Sequence, residues 1–290
     1  MNGEIALVSC AFAKDRDEDL PVVAEALRRA GCAVSVTNWD DVAVDWSRFA
    51  AAIVRSPWDY WMRYDEFLGW VDRVSGATTL LNSAAMLRWN TDKRYLGRLA
   101  EAGIPVIPTV YVDDADVLDS DVFDGDVVVK PTVSAGSNDT TRHRNDPGAA
   151  RGAVRAVLAL GKTAMVQPYQ AAVDSDGETG LLYFDGVFSH AFCKAALLTG
   201  DVARNHLYAE EMITPRTATA AQRSLADTVI AHVTARFGEA PLYARVDMLP
   251  GSDGAPVLIE LEMSEPSLFL FTSEGADDRF AAAVLDRVQG

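Results

Sequence analysis

The chain is poor in cysteine, and it lacks both a long apolar run and a basic tract. Its three cysteines, Cys10, Cys32 and Cys193, stand far apart in apolar, strand-like contexts, so we interpret them as reduced core residues and not as a disulfide framework. No apolar stretch reaches the roughly 20 residues that span a bilayer, and the segment Met1-Asn-Gly-Glu4 lacks the basic start of a secretory signal. These absences predict a cytoplasmic protein with no membrane partner.

Positive charge is scarce as well. The formal net charge is −16 at pH 7, and the cluster Arg142-His-Arg144 is too short to offset it. This balance argues against a nucleic-acid partner. Hydrophobic residues make up 49% and charged residues 23% of the 290 positions, which is enough for a sizeable core spread over two or three lobes. An anionic small ligand would then need locally concentrated cations.

Strand and helix patterns alternate along the first eighty-odd residues. Apolar runs at 4–10, 32–38, 49–54 and 79–81 predict strands, and amphipathic segments at 20–30 and 64–74 predict helices. This order is typical of a doubly wound α/β sheet, in which ligands gather at the carboxyl ends of the strands.

Two polar segments follow strands at that edge. The loop Arg55-Ser-Pro-Trp-Asp-Tyr60 comes after the third strand, and Arg55, Asp59 and Tyr60 are candidate substrate contacts there. The alternative is a turn that anchors its loop by burying Trp58. After the first strand, the run Lys14-Asp-Arg-Asp-Glu-Asp19 is predicted to be a solvated charged segment.

The rest of the chain also predicts a mixed α/β arrangement. The pattern favours one long helix over 84–102, helices at 149–160, 218–237 and 277–288, and strands at 106–112, 126–131, 164–169, 180–184 and 187–192. We predict three units, which are an N-terminal Rossmann-like domain at residues 1–85, a central lobe at 86–165 and a C-terminal lobe at 166–290.

Acidic side chains interrupt two apolar strands near the C-terminus. Residues 242–249 and 257–263 flank a turn rich in Pro and Gly, which predicts a β-hairpin. If Asp247 faces Glu260 across the hairpin, then Arg245 faces Glu262, because successive side chains alternate between the two faces. The opposite face would be wholly apolar, with Ala244, Val246, Met248, Ile259, Leu261 and Met263.

Carboxylates clustered on one strand face repel one another and raise each other's pKa unless a positive charge lies between them. Mg²⁺ prefers oxygen ligands and takes one or two carboxylates per ion. Asp247, Glu260 and Glu262 are therefore candidate magnesium ligands, and two ions bridged by Glu260 would use the whole set. The alternative is a solvated strand face with a cross-strand pair of Arg245 and Glu262.

One of the five lysines ends an apolar strand. A buried ammonium at the position of Lys130 is costly unless it meets an anion, and the alternative is that the side chain reaches solvent. The small, hydroxyl-rich loop that follows, with Ser134, Gly136 and Ser137, could close over phosphates and donate backbone N–H groups to their oxygens.

Further residues suit the other parts of a nucleotide. Lys93, early in the predicted long helix, opposes the helix dipole, so an anion nearby would remove the conflict. Lys194 ends another strand and is a further candidate for the phosphates. Gln167 and Tyr169 would suit the edge of an adenine, and the carboxylate of Glu178 would suit ribose hydroxyls.

In their order along the chain, these residues resemble the ATP-grasp superfamily of carboxylate–amine ligases, which includes D-alanine:D-alanine ligase and glutathione synthetase. The resemblance covers nearly the whole chain and implies two lobes that clamp ATP together with Mg²⁺. It implies phosphate contacts from Lys93 and Lys130, a phosphate-covering loop at 134–137, an adenine hinge at Gln167 and Tyr169, a ribose contact from Glu178, metal ligation by Asp247, Glu260 and Glu262, and catalytic roles for Arg245 and Lys130.

Within that superfamily, the sequence looks like the group that contains O-ureido-D-serine cyclo-ligase, which forms D-cycloserine. The segments that carry this likeness are 55–60, 177–178, 184–186, 189–190 and 260–266. The familiar motif has Asn where this chain has Glu262, and a Pro-Gly turn where it has Ser264-Glu-Pro-Ser267. Ser267 is a candidate substrate contact in this altered turn.

The resemblance implies an enzyme that activates a substrate carboxylate as an acyl phosphate and forms a C–N bond. Cyclization of O-ureido-D-serine, with release of ADP, phosphate, CO₂ and NH₃, is the specific hypothesis. An intermolecular amino-acid or peptide ligase is the alternative, and a nucleotide-binding module without catalysis is the alternative from another class. The expected partner is a small amino-acid-like substrate, and a homodimer is one oligomeric state left open.

Overall fold

Three β-sheets organise the fold in this computed structural model, which describes residues 3–114, 120–195 and 212–289. The N-terminal sheet is formed by β1 (Glu4–Ser9), β2 (Ala33–Asn38), β3 (Phe49–Ser56) and β4 (Thr79–Leu81), with helices α1 (Asp19–Arg29) and α2 (Tyr64–Ser75) between them. Its strands are parallel in the order β2-β1-β3-β4. The predicted α/β character is confirmed, and the strand order reverses between β1 and β3.

The other two sheets are antiparallel. The central sheet has the order β5-β8-β6-β7 and consists of β5 (Val110–Val112), β6 (Asp126–Pro131), β7 (Thr141–Arg144) and β8 (Ala164–Pro168), with α5 (Pro147–Ala159) packed on it. The C-terminal sheet has the order β11-β10-β9-β12-β13 and consists of β9 (Glu178–Phe184), β10 (Val187–Lys194), β11 (Ile213–Pro215), β12 (Tyr243–Pro250) and β13 (Pro256–Glu262). Helix α6 (Val173–Asp176) lies between β8 and β9 in the chain, α7 (Ala220–Phe237) lies between β11 and β12, and α8 (Ala276–Gln289) follows β13.

The N-terminal and C-terminal sheets share one hydrophobic core. Helix α1 buries Leu20, Val23 and Leu27, whose spacing of three and four residues places them on one face. These side chains belong to the same cluster as Phe184 of β9 and Phe280 of α8. Each large apolar side chain buried in this way contributes about 1.5–3 kcal/mol. The two sheets are therefore held together by their packing.

Hydrogen bonds from Asn82 reinforce this contact. The buried side-chain amide, just after β4, donates to the carbonyls of Tyr243 at 2.9 Å and Met263 at 2.8 Å. Its oxygen accepts from the N–H of Leu242 at 2.5 Å. One amide side chain thus joins the end of the N-terminal sheet to the backbone at the ends of β12 and β13.

The predicted long helix over 84–102 is wrong in one respect, because it is broken into α3 (Ala84–Asn90) and α4 (Tyr95–Glu101). The N–H of Lys93 donates to the carbonyl of Thr132 at 2.9 Å instead of to a residue one turn earlier. The side chain of Asn90 donates to the carbonyl of Leu261 and accepts from the N–H of Met263. The Lys93 N–H thus bonds outside the helix and the Asn90 side chain bonds the C-terminal sheet, so Lys93 lies between two helices and not inside one.

The predicted strand over 106–112 is also shorter than expected. Only Val110–Val112 joins the central sheet, because the backbone of 105–107 instead bonds Leu258 of β13. Strands β7 and β11 were not predicted, since neither has an apolar run. Within the three described ranges, no helix has the length and hydropathy needed to cross a lipid bilayer.

Candidate active site

A cavity of about 550 Å³ opens between the central and C-terminal sheets, beside the carboxyl edge of the N-terminal sheet. Its charged lining comes from every part of the fold and includes Asp17, Lys93, Lys130, Glu178, Lys194, Arg245, Glu260, Glu262 and Glu265. Most of the residues that the sequence predicted to bind nucleotide or metal therefore surround one cavity.

The predicted register of the β12–β13 hairpin is confirmed. Asp247 pairs with Glu260, and Arg245 pairs with Glu262. The prediction of a wholly apolar opposite face is wrong for Ile259, because a β-bulge follows Asp247 and pairs Met248 with Leu258. Ile259 therefore lines the cavity, while the other five predicted apolar residues are buried in the core below it.

Arg245 occupies the space between two of the carboxylates. Its Nε donates to both Asp247 oxygens at 3.0 Å, and its Nη2 donates to Asp247 Oδ2 at 2.8 Å and to Glu262 Oε1 at 2.5 Å. Asp247 is 4% exposed and does not line the cavity, whereas Glu260 and Glu262 do. The guanidinium thus screens Asp247 from the cavity.

The two glutamates of β13 have opposite electrostatic surroundings. Burial raises the pKa of Glu262 well above its ordinary range, and the charges of Glu260 and Asp247 add to this effect in spite of the ion pair with the guanidinium. Burial would also raise the pKa of Glu260, but Lys93 and Lys130 together hold that pKa well below its usual range. A further positive charge near Glu262 would therefore be electrostatically favourable.

Within residues 3–114, 120–195 and 212–289, no group of three or more acidic, histidine or cysteine side chains is arranged to hold a metal ion. Glu260 and Glu262 nevertheless offer hard oxygen donors on the cavity wall, where negative charge is in excess. Because Mg²⁺ takes only one or two carboxylates and completes its shell with water and phosphate oxygens, these two residues fit such an ion. Ligation by Asp247 stays a prediction, since Arg245 engages both of its oxygens.

Lys93 and Lys194 reach the cavity with partners of their own. Lys93 Nζ donates to the carbonyl of Ser134 at 2.8 Å and lies 3.2 Å from Glu260 Oε1. Burial alone would lower the pKa of Lys93, yet the nearby carboxylates raise it. Lys194 Nζ lies 3.5 Å from Oε2 of Glu178, the residue predicted to bind ribose.

Lys130 differs from these two lysines. Its side chain lines the cavity but is only 9% exposed, so the alternative that it reaches solvent does not hold. In the part of the chain that the structure describes, its ammonium has no hydrogen bond or ion pair. Burial lowers the pKa of Lys130 by more than the attraction of Glu260 raises it. An anion in the cavity would supply the missing counter-charge.

The loop after β6 forms the wall next to these lysines. Ser134, Gly136 and Ser137 all line the cavity, and their role as a phosphate-covering loop stays a prediction. Gly136 and Ser137 have φ of 60° and 58°, the left-handed region that favours glycine and needs local support elsewhere. The side chain of Asn138 provides support, because it donates to the carbonyl of Ala135 at 2.6 Å.

Gln167 and Tyr169 line another part of the cavity wall. Gln167 Nε2 donates to Thr109 Oγ1 at 2.8 Å, and the Tyr169 hydroxyl donates to Asp174 at 2.5 Å. The guanidinium carbon of Arg142 lies 3.3 Å from the centre of the Tyr169 ring. An apolar patch next to them consists of Ile107, Val173, Leu249 and Ile259. An apolar wall with a few polar groups at its edge suits a flat heteroaromatic ring.

Three of the predicted substrate contacts do not line the cavity. Arg55 is completely buried, and its Nη2 donates to the carbonyl of Pro266 at 2.9 Å. Asp59 accepts from the indole N–H of Trp39 at 2.7 Å, and Tyr60 packs among aromatic side chains. Arg55 thus joins the N-terminal sheet to the turn at 264–267, whereas Asp59 and Tyr60 pack within the N-terminal domain, so none of the three side chains faces the cavity.

The alternative interpretation of that loop describes its position better. Trp58 is buried and donates through its indole N–H to the carbonyl of Glu265 at 3.1 Å, which anchors the loop to the turn at 264–267. Ser267, in that turn, does line the cavity, and its carbonyl accepts from Arg245 Nη1 at 3.2 Å.

Sequence reasoning missed Glu265 as a site residue. It lines the cavity, and burial raises its pKa to about 7, although Lys93 and a hydrogen bond with Tyr60 act in the opposite direction. The departure of the turn from its family pattern was a signal, since it placed a carboxylate where the familiar motif has none.

Sequence reasoning also missed the acidic residues that precede α1. Asp17 and Asp19 are buried, so the prediction of a solvated charged segment at 14–19 is wrong for these two. Asp19 accepts from the N–H groups of three consecutive residues, 268–270. Asp17 Oδ1 accepts from the N–H groups of Asp19 and Leu20 and so caps the helix. An aspartate just before a helix, in the segment that connects it to a parallel strand, was the available signal.

Comparison with known proteins agrees with this architecture. The family model described as the N-terminal domain of D-cycloserine synthetase DcsG matches residues 5–82. The chain is 41% identical to the cycloserine biosynthesis protein DcsG of Streptomyces lavendulae over 99% of both chains. It superposes on the crystal structure of D-cycloserine synthetase DcsG with a TM-score of 0.92 and 39% identity, covering 99% of this chain and 100% of that one.

A RimK domain ATP-grasp protein from Sphaerobacter thermophilus, with 18% identity and a TM-score of 0.66 over 97% of this chain and 98% of that one, shares the fold. The fold class predicted from the sequence is therefore confirmed. The chain belongs to the D-cycloserine synthetase DcsG family, and its fold is the ATP-grasp fold.

Proposed function

We propose that this protein is an ATP-dependent ligase that cyclises O-ureido-D-serine to D-cycloserine. The observation that carries the proposal is the buried ammonium of Lys130, which has no partner among the residues that the structure describes, in a cavity that Glu260 and Glu262 also line. A lysine in that state favours an anionic ligand, because an anion would restore its counter-charge. The two glutamates favour a cation. A nucleoside triphosphate with bound Mg²⁺ provides both the anion for Lys130 and the cation for the glutamates. Membership of the DcsG family supports the specific substrate.

The chain offers a separate group for each part of ATP. Lys93, Lys130 and Lys194 supply positive charge to the phosphates, and the loop of Ser134, Gly136 and Ser137 covers them. Gln167 and Tyr169 hold the adenine against the apolar patch defined above, and Glu178 binds the ribose. Glu260 and Glu262, with Asp247, would hold Mg²⁺, and we propose two ions. Bound magnesium neutralises charge on the phosphate oxygens.

The reaction then needs little covalent chemistry from the protein. The substrate carboxylate attacks the γ-phosphorus of ATP, the bond to the β-phosphate oxygen breaks, and ADP departs. The substrate is then an acyl phosphate. The ureido nitrogen bonded to oxygen next attacks the acyl carbon, loses its proton and expels phosphate, which closes the ring. Hydrolysis of the remaining carbamoyl group releases CO₂ and NH₃.

Arg245 and Lys130 stabilise the charge that develops in these steps. Arg245 lines the cavity and is bonded to the carbonyl of Ser267, so a carboxylate bound at this turn would lie next to its guanidinium. Fixed positive groups in a site that excludes water stabilise transferred phosphoryl groups and tetrahedral intermediates without a reorganisation cost. Because both reacting groups belong to one molecule, the protein has to position a single substrate.

ADP release tests the proposal. Purified protein with ATP and Mg²⁺ should release ADP when O-ureido-D-serine is added, and mass spectrometry should detect D-cycloserine in equal amount. The Glu260→Gln variant is the matched control for contaminating ATPases. ADP release that depends on a second amine, with none from O-ureido-D-serine, would identify an intermolecular amino-acid or peptide ligase. Nucleotide binding without turnover of any acceptor would identify a module without catalysis.

A further inference from the structure

Two lysines hold the backbone at the start of the loop that follows β6. Lys93 donates through its backbone N–H to the carbonyl of Thr132 at 2.9 Å and through Nζ to that of Ser134 at 2.8 Å. Lys162 Nζ donates to the carbonyl between them, that of Val133, at 3.2 Å. Lys93 lines the cavity, whereas Lys162 does not. Lys162 therefore supports this loop from outside the cavity.

The loop depends on such support because of its backbone conformation. Gly136, Ser137 and Asp139 have φ between 56° and 60°, in the left-handed region that residues with a side chain adopt at a cost. Residues in these conformations persist where surrounding contacts hold them in place. The position of the loop is thus set by its contacts with other parts of the fold.

The N-terminal domain provides some of these contacts. Val133 is 8% exposed and belongs to a hydrophobic cluster, and Ala135 packs against the same cluster. Among the described residues, the other members of that cluster all lie in 6–87. One of them, Trp58, also lines the cavity. The apolar side chains of the loop are therefore packed on the N-terminal domain beside the site.

Lys162 joins the loop to an aromatic ring of that domain. Its Nζ lies 4.5 Å from the centre of the Trp61 ring, and Trp61 packs against the cluster just described. Burial lowers the pKa of Lys162, although the charge of Asp139 acts in the opposite direction. A partly desolvated ammonium over an indole face makes a stronger contact than an exposed one. One side chain therefore binds a carbonyl of the loop and the N-terminal domain at once.

We infer that Lys162 and Trp61 are positioning residues that hold the loop over the phosphates, so that the activated substrate closes its ring before water reaches it. This inference rests on the proposed function, because it requires a phosphate-covering loop and an acyl phosphate. Neither side chain lines the cavity, so neither acts on the substrate directly. Their effect on the reaction passes through the position of the loop.

The reaction that competes with ring closure is hydrolysis of the acyl phosphate. Water attacks the acyl carbon, the bond to the phosphate oxygen breaks, and phosphate departs. A proton is released and the substrate carboxylate is regenerated, so one ATP is consumed without product. Closed active sites prevent such side reactions because they exclude water. The number of ADP molecules released per D-cycloserine therefore reports how well the loop is held.

Lys162→Met and Trp61→Leu test the inference, separately and in a double variant. Wild-type enzyme should release one ADP per D-cycloserine. Each single variant should release more ADP per D-cycloserine, and its KM for ATP should rise roughly 2- to 30-fold, the factor that corresponds to loss of one cation–π contact. The double variant should resemble the single ones, because either replacement already removes the contact.

Conservative replacements and a surface control separate positioning from folding. Lys162→Arg keeps a cation and Trp61→Phe keeps an aromatic face, so both should retain the wild-type ratio of ADP to D-cycloserine. Arg155→Met removes an exposed positive charge from α5 and should change neither the ratio nor the KM for ATP. Lys162 is partly exposed, so Lys162→Met decides the question even if Trp61→Leu folds poorly.

The possible failures of the two proposals differ. A wild-type ratio in Lys162→Met, or effects that add in the double variant, would assign these side chains a structural role and overturn the inference. A lower rate at an unchanged ratio would overturn it as well, since misfolding removes active molecules without changing the product yield of the rest. Wild-type enzyme that releases no ADP with O-ureido-D-serine would instead refute the proposed function, before any variant is compared.

Discussion

Replacement of Lys130 by methionine should strengthen the fold and weaken nucleotide binding. Lys130 is buried without an ion pair among the described residues, and burial lowers its pKa against the attraction of Glu260. Since the net direction is downward, the charged side chain is less favourable in the folded than in the unfolded chain. Methionine has a similar length and no charge, so it can fill the same space.

The expected changes in the free energy of unfolding and in the affinity for ATP can each be estimated. Replacing a whole buried ion pair by apolar side chains of similar volume stabilises a protein by about 1–4 kcal/mol in favourable cases, and Lys130 contributes one buried charge. Glu260 would lose one of its two nearest lysines, although Lys93 remains 3.2 Å away, so the gain should lie near the low end. We expect the free energy of unfolding of the ligand-free protein to rise by about 1 kcal/mol. The affinity for ATP should fall roughly 10- to 100-fold, because one hydrogen bond between charged groups is lost.

Urea unfolding followed by circular dichroism, together with calorimetric titration of a non-hydrolysable ATP analogue, measures both quantities. Lys14→Met is the matched control, since Lys14 is exposed and does not line the cavity. It should change neither quantity. A Lys130→Met protein that unfolds more easily and binds the nucleotide as tightly as wild type would refute the reasoning, because Lys130 would then have a structural role.

Three further predictions concern the metal wall, the sheet contact and the pH dependence. Glu260→Gln should lower the rate of ADP release by at least about 100-fold, because it removes a metal ligand and the ion-pair partner of Lys93; unchanged turnover would remove Glu260 from the site. Asn82→Ala should lower the free energy of unfolding by about 3 kcal/mol in urea denaturation, since three buried hydrogen bonds to the C-terminal sheet are lost, and a change below measurement error would contradict this. Burial raises the pKa of Glu265 from 4.5 to about 7, so the folded protein binds this proton more tightly than the unfolded chain. The resulting stability is complete below the unfolded pKa and is lost as the pH rises through about 7. Glu265→Gln should therefore remove up to about 3 kcal/mol of the decline in unfolding free energy across this range, and equal slopes for variant and wild type would count against it.

Much of the fold was accessible from the sequence. The alternation of apolar runs and amphipathic segments located β1 to β4 with α1 and α2, because their periodicity is local. The hairpin register of β12 and β13 followed from the side-chain period of two. The family resemblance rested on residues whose chemistry is unusual for their place, such as Lys130 at the end of a buried strand.

Other features depended on partners distant in the chain. The break between α3 and α4 arises because Asn90 and Lys93 bond to the C-terminal and central sheets, and no local propensity encodes those contacts. The bulge that turns Ile259 toward the cavity likewise depends on how β13 pairs with β12.

The sequence by itself determined that this protein has an α/β fold with a set of lysines and carboxylates suited to ATP and a metal ion. Only the tertiary structure decided which of those side chains share one cavity. It buried Arg55 in a sheet contact, placed Arg245 between Asp247 and Glu262, and brought Asp17 out of a charged run into the cavity wall. The physical reason is that residue type and periodicity encode burial and chemistry, whereas the packing of one sheet on another decides which buried polar atoms find partners.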